Sequence, residues 1–199
     1  EAIIDIKMLN NAQKLIITQA NSTASKIGCS ISILSGNYNE KKLEQLIKFD
    51  NNYIFDIKYI DEDIIILLDD KIVKYNINSK KDSIIKEYDS SQILAISILD
   101  KFFVSLEKSL DNDNKYKILT NDFNNVNVST IELDSAPKEI INSQYLNYCL
   151  YKNKLQIFNK WGIEVMSREM DAIPNNIVVF DKSKSVGLIY TNRIEIIKL

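Results

Sequence analysis

The chain has no histidine, only four glycines, two prolines and two cysteines. Without histidine, Ser-His-Asp and Cys-His nucleophiles and histidine-ligated metal sites are excluded. The few glycines form neither G-x-G-x-x-G nor a P-loop, so no turn is available to cradle a phosphate, and a nucleotide enzyme is disfavoured. No apolar run approaches the roughly 18 residues of a bilayer-spanning helix, and no signal peptide is visible. The first residue is Glu1 rather than Met, which raises the expectation of an upstream segment able to carry a leader or an anchor.

Cys29 and Cys149 stand 120 residues apart with no C-x-x-C partner and no zinc-ligand spacing. Both lie in apolar, strand-like runs, Gly28-Cys29-Ser30-Ile31 and Asn147-Tyr148-Cys149-Leu150. They are expected to be free, buried thiols.

What is present is ordinary for a globular protein: 199 residues, 45% hydrophobic, 26% charged, net charge −2. That length can build a sizeable core, and that charge does not attract nucleic acid. The basic pairs Lys41-Lys42, Lys80-Lys81 and Lys182 with Lys184 alternate with acids and read as solvated faces. Heavy use of Ile, Asn, Lys and Tyr is what an A/T-rich codon bias produces and says little about function.

One pattern recurs along the chain: an apolar residue followed by Asp, at Phe49-Asp50, Tyr88-Asp89, Leu133-Asp134 and Met170-Asp171. Two or three linker residues follow each, then a new apolar run, at a period of roughly 40 residues. Within the second period, 53–60, 63–68, 71–76 and 83–88 are strand-length runs rich in Ile, Val and Tyr, separated by turn residues such as Asp61-Glu62 and Asp69-Asp70. The first, third and fourth periods repeat the order, and Asp5-Ile6-Lys7 matches Asp56-Ile57-Lys58 in register. The fifth provides only three runs, 176–180, 185–190 and 193–199. The expected fold is therefore all-β: a β-propeller of about five four-stranded antiparallel blades with an incomplete last blade, or an open propeller arc. The blades span approximately 1–50, 51–89, 90–134, 135–171 and 172–199 of one domain. A strand supplied from upstream of Glu1 would complete the last blade. No helix of normal length is expected; the best candidate, 39–48, is read as a turn entering a strand. Loops are expected at 21–26 and 110–115, on one rim.

Chemistry is sparse. A catalytic carboxylate pair of the glycosidase kind has little support, because Asp61-Glu62-Asp63 and Asp69-Asp70 fall in turns that explain them. Asp111-Asn112-Asp113-Asn114-Lys115 resembles the start of a calcium loop but lacks the central glycine and the later glutamate, so a polar hairpin is the better reading. The one tryptophan, Trp161, lies in the turn Asn159-Lys160-Trp161-Gly162, where it either packs on a neighbouring blade or offers a partner contact. Tyr145, Tyr148 and Tyr151 fall in one short stretch, and the pairs three apart are expected to alternate faces of a strand.

The run Lys154-Leu155-Gln156-Ile157-Phe158-Asn159 followed by Trp161-Gly162 resembles β-propeller repeats of the broad WD40-like and quinoprotein-like type, although Gly-His, Trp-Asp and the kelch double glycine are absent. The chain is also similar in style to an uncharacterised family of membrane-anchored proteins of low-GC Gram-positive bacteria. That resemblance implies an N-terminal anchor and an extracytoplasmic location, against a cytoplasmic alternative. The expected function is a non-catalytic protein–protein interaction scaffold of the bacterial envelope, division or sporulation machinery, with Trp161 as a partner contact. No catalytic, metal or cofactor residue is expected, nor nucleic acid as a partner. The rival is a carbohydrate-binding or carbohydrate-cleaving propeller. A dry axis lined by Ile6, Ile57 and Ile96 would favour the scaffold.

Overall fold

The computed structural model describes residues 2–9, 14–23, 26–37, 40–89, 92–109 and 115–199. Alternating apolar and polar residues, β-branched runs and turn punctuation give nineteen strands among them, each hairpin joining sequence neighbours. The first sheet is β1 (Ala2–Met8), β2 (Lys14–Thr23), β3 (Lys26–Asn37) and β4 (Glu40–Asp50). The second is β5 (Ile54–Ile60), β6 (Asp63–Leu68), β7 (Lys71–Asn76) and β8 (Lys81–Glu87). The third is β9 (Ile93–Ile98), β10 (Phe102–Lys108), β11 (Tyr116–Asp122) and β12 (Asn127–Leu133). The fourth is β13 (Glu139–Asn142), β14 (Leu146–Leu150), β15 (Lys154–Asn159) and β16 (Glu164–Glu169). The fifth holds three strands, β17 (Asn176–Phe180), β18 (Ser185–Ile189) and β19 (Ile194–Lys198). Every sheet is an antiparallel meander in chain order, the β-propeller pattern expected, with the last sheet one strand short.

Residues 39–48, the best helical candidate but read as a turn entering a strand, are strand from Glu40 onward; the only helical turn among the described residues is the 3-10 turn Asp181–Ser183. The first sheet is longer than its turn residues suggested. Thr23 pairs with Lys26, so of the loop expected over 21–26 the described residues 21–23 and 26 are strand; residues 24 and 25 lie outside the described residues. Residues 110–114, where the calcium-like run falls, lie outside the described residues.

Chain contacts define two compact units, Glu1–Ser90 and Ser91–Leu199. In the first, Ile16, Cys29, Ile31 and Ile33 of the first sheet meet Ile54, Ile57, Ile64, Ile66 and Val73 of the second. In the second unit, Val104, Leu106, Ile118 and Ile131 of the third sheet meet Cys149 and Phe158 of the fourth. The opposite face of the fourth, with Tyr148, Leu150, Leu155 and Ile157, meets Ile177, Val186, Leu188 and Ile197 of the fifth. Each such aliphatic side chain contributes about 1.5–3 kcal/mol of burial. Tyr148 thus points to the fifth sheet, while Tyr151 packs against the third-sheet cluster, the alternation the spacing demanded.

Two devices recur that no residue pattern announced. In first strands, Ile3 opposes Gln19 while Asp5 opposes Thr18, leaving Ile4 as an extra, bulged residue; Phe55 and Leu94 are bulged in the same way. The carboxylates of Asp5 and Asp56 follow two of these bulges and accept the next residue's N–H, at 2.8 Å each, which is why the Asp-Ile-Lys match is structural. In outer strands, Leu46, Ile85, Val128 and Val165 are bulged in β4, β8, β12 and β16. Bulges twist an edge and interrupt its hydrogen-bonding row.

The linkers between sheets are tied down alike. Asn52 donates to Asp69 at 2.8 Å and to Asp70 at 2.9 Å, and Asn175 donates to Thr191 at 3.2 Å. The apolar-Asp punctuation marks these junctions, and its carboxylates at Asp50, Asp89, Asp134 and Asp171 are exposed.

Candidate functional site

In a meander, the hairpins joining first to second and third to fourth strands emerge at the same end of the sheet. In the second unit this brings three tips together: Asp100-Lys101 between β9 and β10, Gln144-Tyr145 between β13 and β14, and Lys160-Trp161 between β15 and β16. Leu99, Asp100, Lys101, Phe102, Gln144, Tyr145 and Lys160 line a cavity of about 230 Å³ among them.

Each tip is built by local chemistry. The side-chain oxygen of Asn159 accepts the N–H groups of Trp161 and Ile163, both at 3.0 Å, and Gly162 takes φ +86° to close the turn. Ser143 Oγ accepts the N–H of Leu146 at 3.2 Å, shaping the neighbouring tip. The two are joined by the Lys160 N–H donating to the Tyr145 carbonyl at 3.1 Å.

Trp161 is 63% exposed and Tyr145 62% exposed. The Lys160 ammonium lies 4.7 Å from the Trp161 ring centre and 5.7 Å from that of Phe102. Such exposed cation–π contacts are worth about 0.5–1 kcal/mol, enough to hold the lysine over the rings without removing their outer faces from solvent. Packing against the neighbouring sheet falls instead to Gly162: a Cβ there would meet Ile131 and the Thr130 carbonyl, each at 3.3 Å. The sequence singled out Trp161 alone. The nearness of Tyr145, Phe102 and Lys160 went unnoticed because it depends on hairpin tips of two different sheets, and Tyr145, expected in a strand, lies at the tip before β14.

At the other end of the same unit, Asp134, Ser135, Tyr151, Asn153, Lys154, Gln156 and Glu169 line a polar cavity of about 240 Å³. Burial first, then the charge of Cys149 when ionised and of Asp134, pushes the Tyr151 hydroxyl above its ordinary value, so it stays protonated. Gln156 donates to Glu164 at 2.7 Å beside it.

The remaining expectations can be placed. Cys29 and Cys149 are free and buried; burial chiefly raises their thiols to about 11 and about 12, which leaves neither a nucleophile at neutral pH. Asp61 and Glu62 sit exposed in the β5–β6 turn. Ile57 is buried, Ile96 half-buried and Ile6 exposed. No group of three His, Cys, Asp or Glu able to hold a metal ion occurs among the described residues, and no helix there is long and apolar enough to cross a membrane.

Residues 1–199 match one protein family, described as "Family of unknown function (DUF5711)". No curated protein matches the chain. Among solved structures, a chain in the complex of S. cerevisiae Dbp5 with Nup159, Gle1, IP6 and ADP is similar at TM-score 0.62 and 9% identity, covering 97% of this chain and 57% of that one. Hsv2 of Kluyveromyces marxianus is similar at TM-score 0.58 and 10% identity, over 98% and 58% of the two chains. An oligogalacturonate lyase in complex with manganese gives TM-score 0.61 and 11% identity over 89% and 59%. At such identities the likeness shows the β-propeller fold alone, and this chain spans little more than half the length of these structures.

Proposed function

The chain belongs to the DUF5711 family, whose function is unknown, and from its fold and exposed rim we propose that it is a non-catalytic protein-interaction scaffold. The observation that carries this reading is the exposed Trp161 at a hairpin tip, stacked by Lys160, beside a cavity lined by Lys160, Phe102 and Tyr145. Exposed tryptophan and tyrosine at a fixed hairpin tip supply large contact area at low entropic cost, the composition of interface hot spots. The absence of histidine and the protonated, buried thiols leave neither a histidine-activated nor a thiolate nucleophile. A propeller-type structure seen in the Nup159–Dbp5–Gle1 complex shows the fold in protein assemblies.

The partner is a protein of the bacterial envelope, division or sporulation machinery, met outside the cytoplasmic membrane through an anchored full-length protein. The test compares wild type with Trp161→Ala as baits in envelope extracts of the source cell. Loss of a specific partner by tenfold or more, with an unchanged circular dichroism spectrum, is expected. Identical partners from both baits, or localisation of the native protein to the cytoplasm, would remove the reading.

A second reading, carbohydrate binding, draws on the polar cavity with Tyr151, Asn153, Gln156, Asp134 and Glu169. Its check is titration with soluble oligosaccharides: saturable binding abolished by Tyr151→Ala together with Glu169→Gln favours it over the scaffold.

A further inference from the structure

The rim cavity opens at the mouth of the cleft between the third and fourth sheets, and strand register places a layer of side chains beneath it. Phe102 is two residues from Val104, so the two share a face of the third sheet, the face that meets the fourth. Val104 stands opposite Ser97 and Thr120, and Thr120 opposite Ser129. On the fourth sheet Asn142 stands opposite Asn147, and Asn147 opposite Phe158, which belongs to the same interface. Asn142 donates to Ser97 Oγ at 3.1 Å, joining the two sheets within this layer. Both sheets have all four strands and pack face to face, so the cavity belongs to a finished interface and not to a chain end.

The layer is polar where the rest of the interface is apolar. Thr120, Ser129 and Asn147 are buried. Among the described residues Thr120 Oγ1, Ser129 Oγ and Asn142 Oδ1 have no hydrogen-bond partner. Buried polar atoms in that state favour a polar neighbour over a hydrocarbon one. An aliphatic anchor pressed into the mouth would seal them off; a side chain bearing oxygen or nitrogen would not.

The mouth adds positive charge. Lys101 and Lys160 line it against the single carboxylate of Asp100. Asp122, opposite Phe102 in register, turns its carboxylate back into its own hairpin, where it accepts the N–H groups of Asn124 and Val126 at 2.9 Å each. Elsewhere Lys7, Lys48, Lys71, Lys74 and Lys80 are each met by a carboxylate. Among the described residues no such ion pair forms at Lys101 or Lys160. The Lys160 ammonium rests instead over the Trp161 and Phe102 rings, which fix its place and leave its charge uncancelled.

We propose that this cavity seats the carboxylate of a glutamate or aspartate side chain of the partner protein, paired with Lys160 and Lys101. The residues flanking that acid lie on the outer faces of Trp161 and Tyr145, 63% and 62% exposed, a contact wider than a free carboxylate ion could use. This names the chemistry that the rim selects; it deepens the interaction reading and rests on it.

The test titrates the whole chain with the capped peptide Gly-Phe-Glu-Glu-Phe-Gly, with its Gln-for-Glu and Lys-for-Glu counterparts, and with glutarate. Calorimetry gives the affinities, and emission of Trp161, the single tryptophan, reports the rim without a label. Saturable binding of the Glu peptide, about fivefold or more tighter than the Gln peptide and weakening as salt rises, is expected from two ion pairs at a half-open site. Lys101→Glu together with Lys160→Glu should reverse the order, losing the Glu peptide and taking the Lys peptide. Lys182→Glu, on the tip of the fifth sheet, should leave the order as it is. If the double variant melts early, Lys160→Met decides: a loss of about threefold or more supports the pairing, and full affinity overturns it.

No saturable binding, equal affinity for the Glu and Gln peptides, or a folded double variant that still prefers Glu also overturns the proposal. So does glutarate binding as tightly as the peptide, which would make the site one for a free carboxylate. Self-association that the double variant removes assigns the cavity to a second copy and overturns it too. Partner capture lost with Trp161→Ala while the peptides go undiscriminated keeps the interaction reading and removes only the acidic anchor, so the two failures are distinct.

Discussion

The ammonium of Lys7 in β1 lies 2.8 Å from the carboxylate of Asp56 in β5 and 2.6 Å from the carbonyl of Ile57, tying the first strands of two adjacent sheets together. The same Asp56 carboxylate accepts the Ile57 N–H that follows the Phe55 bulge. One residue thus fixes a bulge within its sheet and a cross-link to the next.

Asp56→Ala removes both roles and is expected to destabilise the chain by about 1–2 kcal/mol, while Lys7→Met costs under about 1 kcal/mol because the pair is nearly half exposed. Urea denaturation midpoints of the two variants and the double variant give the comparison. Equal costs for both single variants would show that the bulge contact contributes nothing.

Gly162→Ala is expected to cost about 1–3 kcal/mol. The turn needs φ +86°, and the added methyl meets Ile131 and the Thr130 carbonyl. Trp161→Ala, one residue away and exposed, should change stability by no more than about 0.5 kcal/mol. Thermal melts of the two variants side by side check the contrast.

Asp63 sets an acid limb. Burial opposes its ionisation, but hydrogen bonds from Lys74 and Asn76 outweigh it and hold the carboxyl below its ordinary value. A carboxyl lowered on folding adds stability that is complete above its unfolded value, about 3.9, and lost as the pH falls through the folded one. Stability should fall below about pH 4, and Asp63→Asn should flatten that fall by less than about 1 kcal/mol, since Lys74 is partly exposed. Denaturation midpoints between pH 2.5 and 6 measure it.

The thiols set an alkaline limb. With Cys29 raised to about 11 and Cys149 to about 12, chiefly by burial, neither should react with a thiol reagent at pH 8 until the chain unfolds. Their contribution is intact below the unfolded thiol value, about 8.5, and declines as pH rises toward the folded values. Rapid labelling of the native chain at pH 8, counted by mass spectrometry, would contradict the burial of both.

Much of the fold is legible because its signals are local. Asp63–Leu68 and Lys71–Asn76 are bounded by turn residues and filled with β-branched side chains, so their limits are visible without knowing what they pack against. Where turn residues are ambiguous the reading slips. Asn21 to Lys26 looks like a loop, yet β2 runs to Thr23 and β3 starts at Lys26 because paired neighbours override a polar composition. The rim was half legible: Trp161 stands out as the single tryptophan in a glycine turn, but Tyr145 and Phe102 carry no mark in the chain.

The amino-acid sequence by itself determined the all-β class, the meander order, the period of roughly 40 residues and a last unit of three strands, since alternation and turn chemistry act over a few residues. It also settled that no histidine chemistry is available. Tertiary structure alone decided where bulges fall, that Lys7 reaches Asp56, and that three hairpin tips share a cavity. Those depend on register between strands and on which face meets the next sheet, and a shift of one residue in either would exchange every inward and outward side chain.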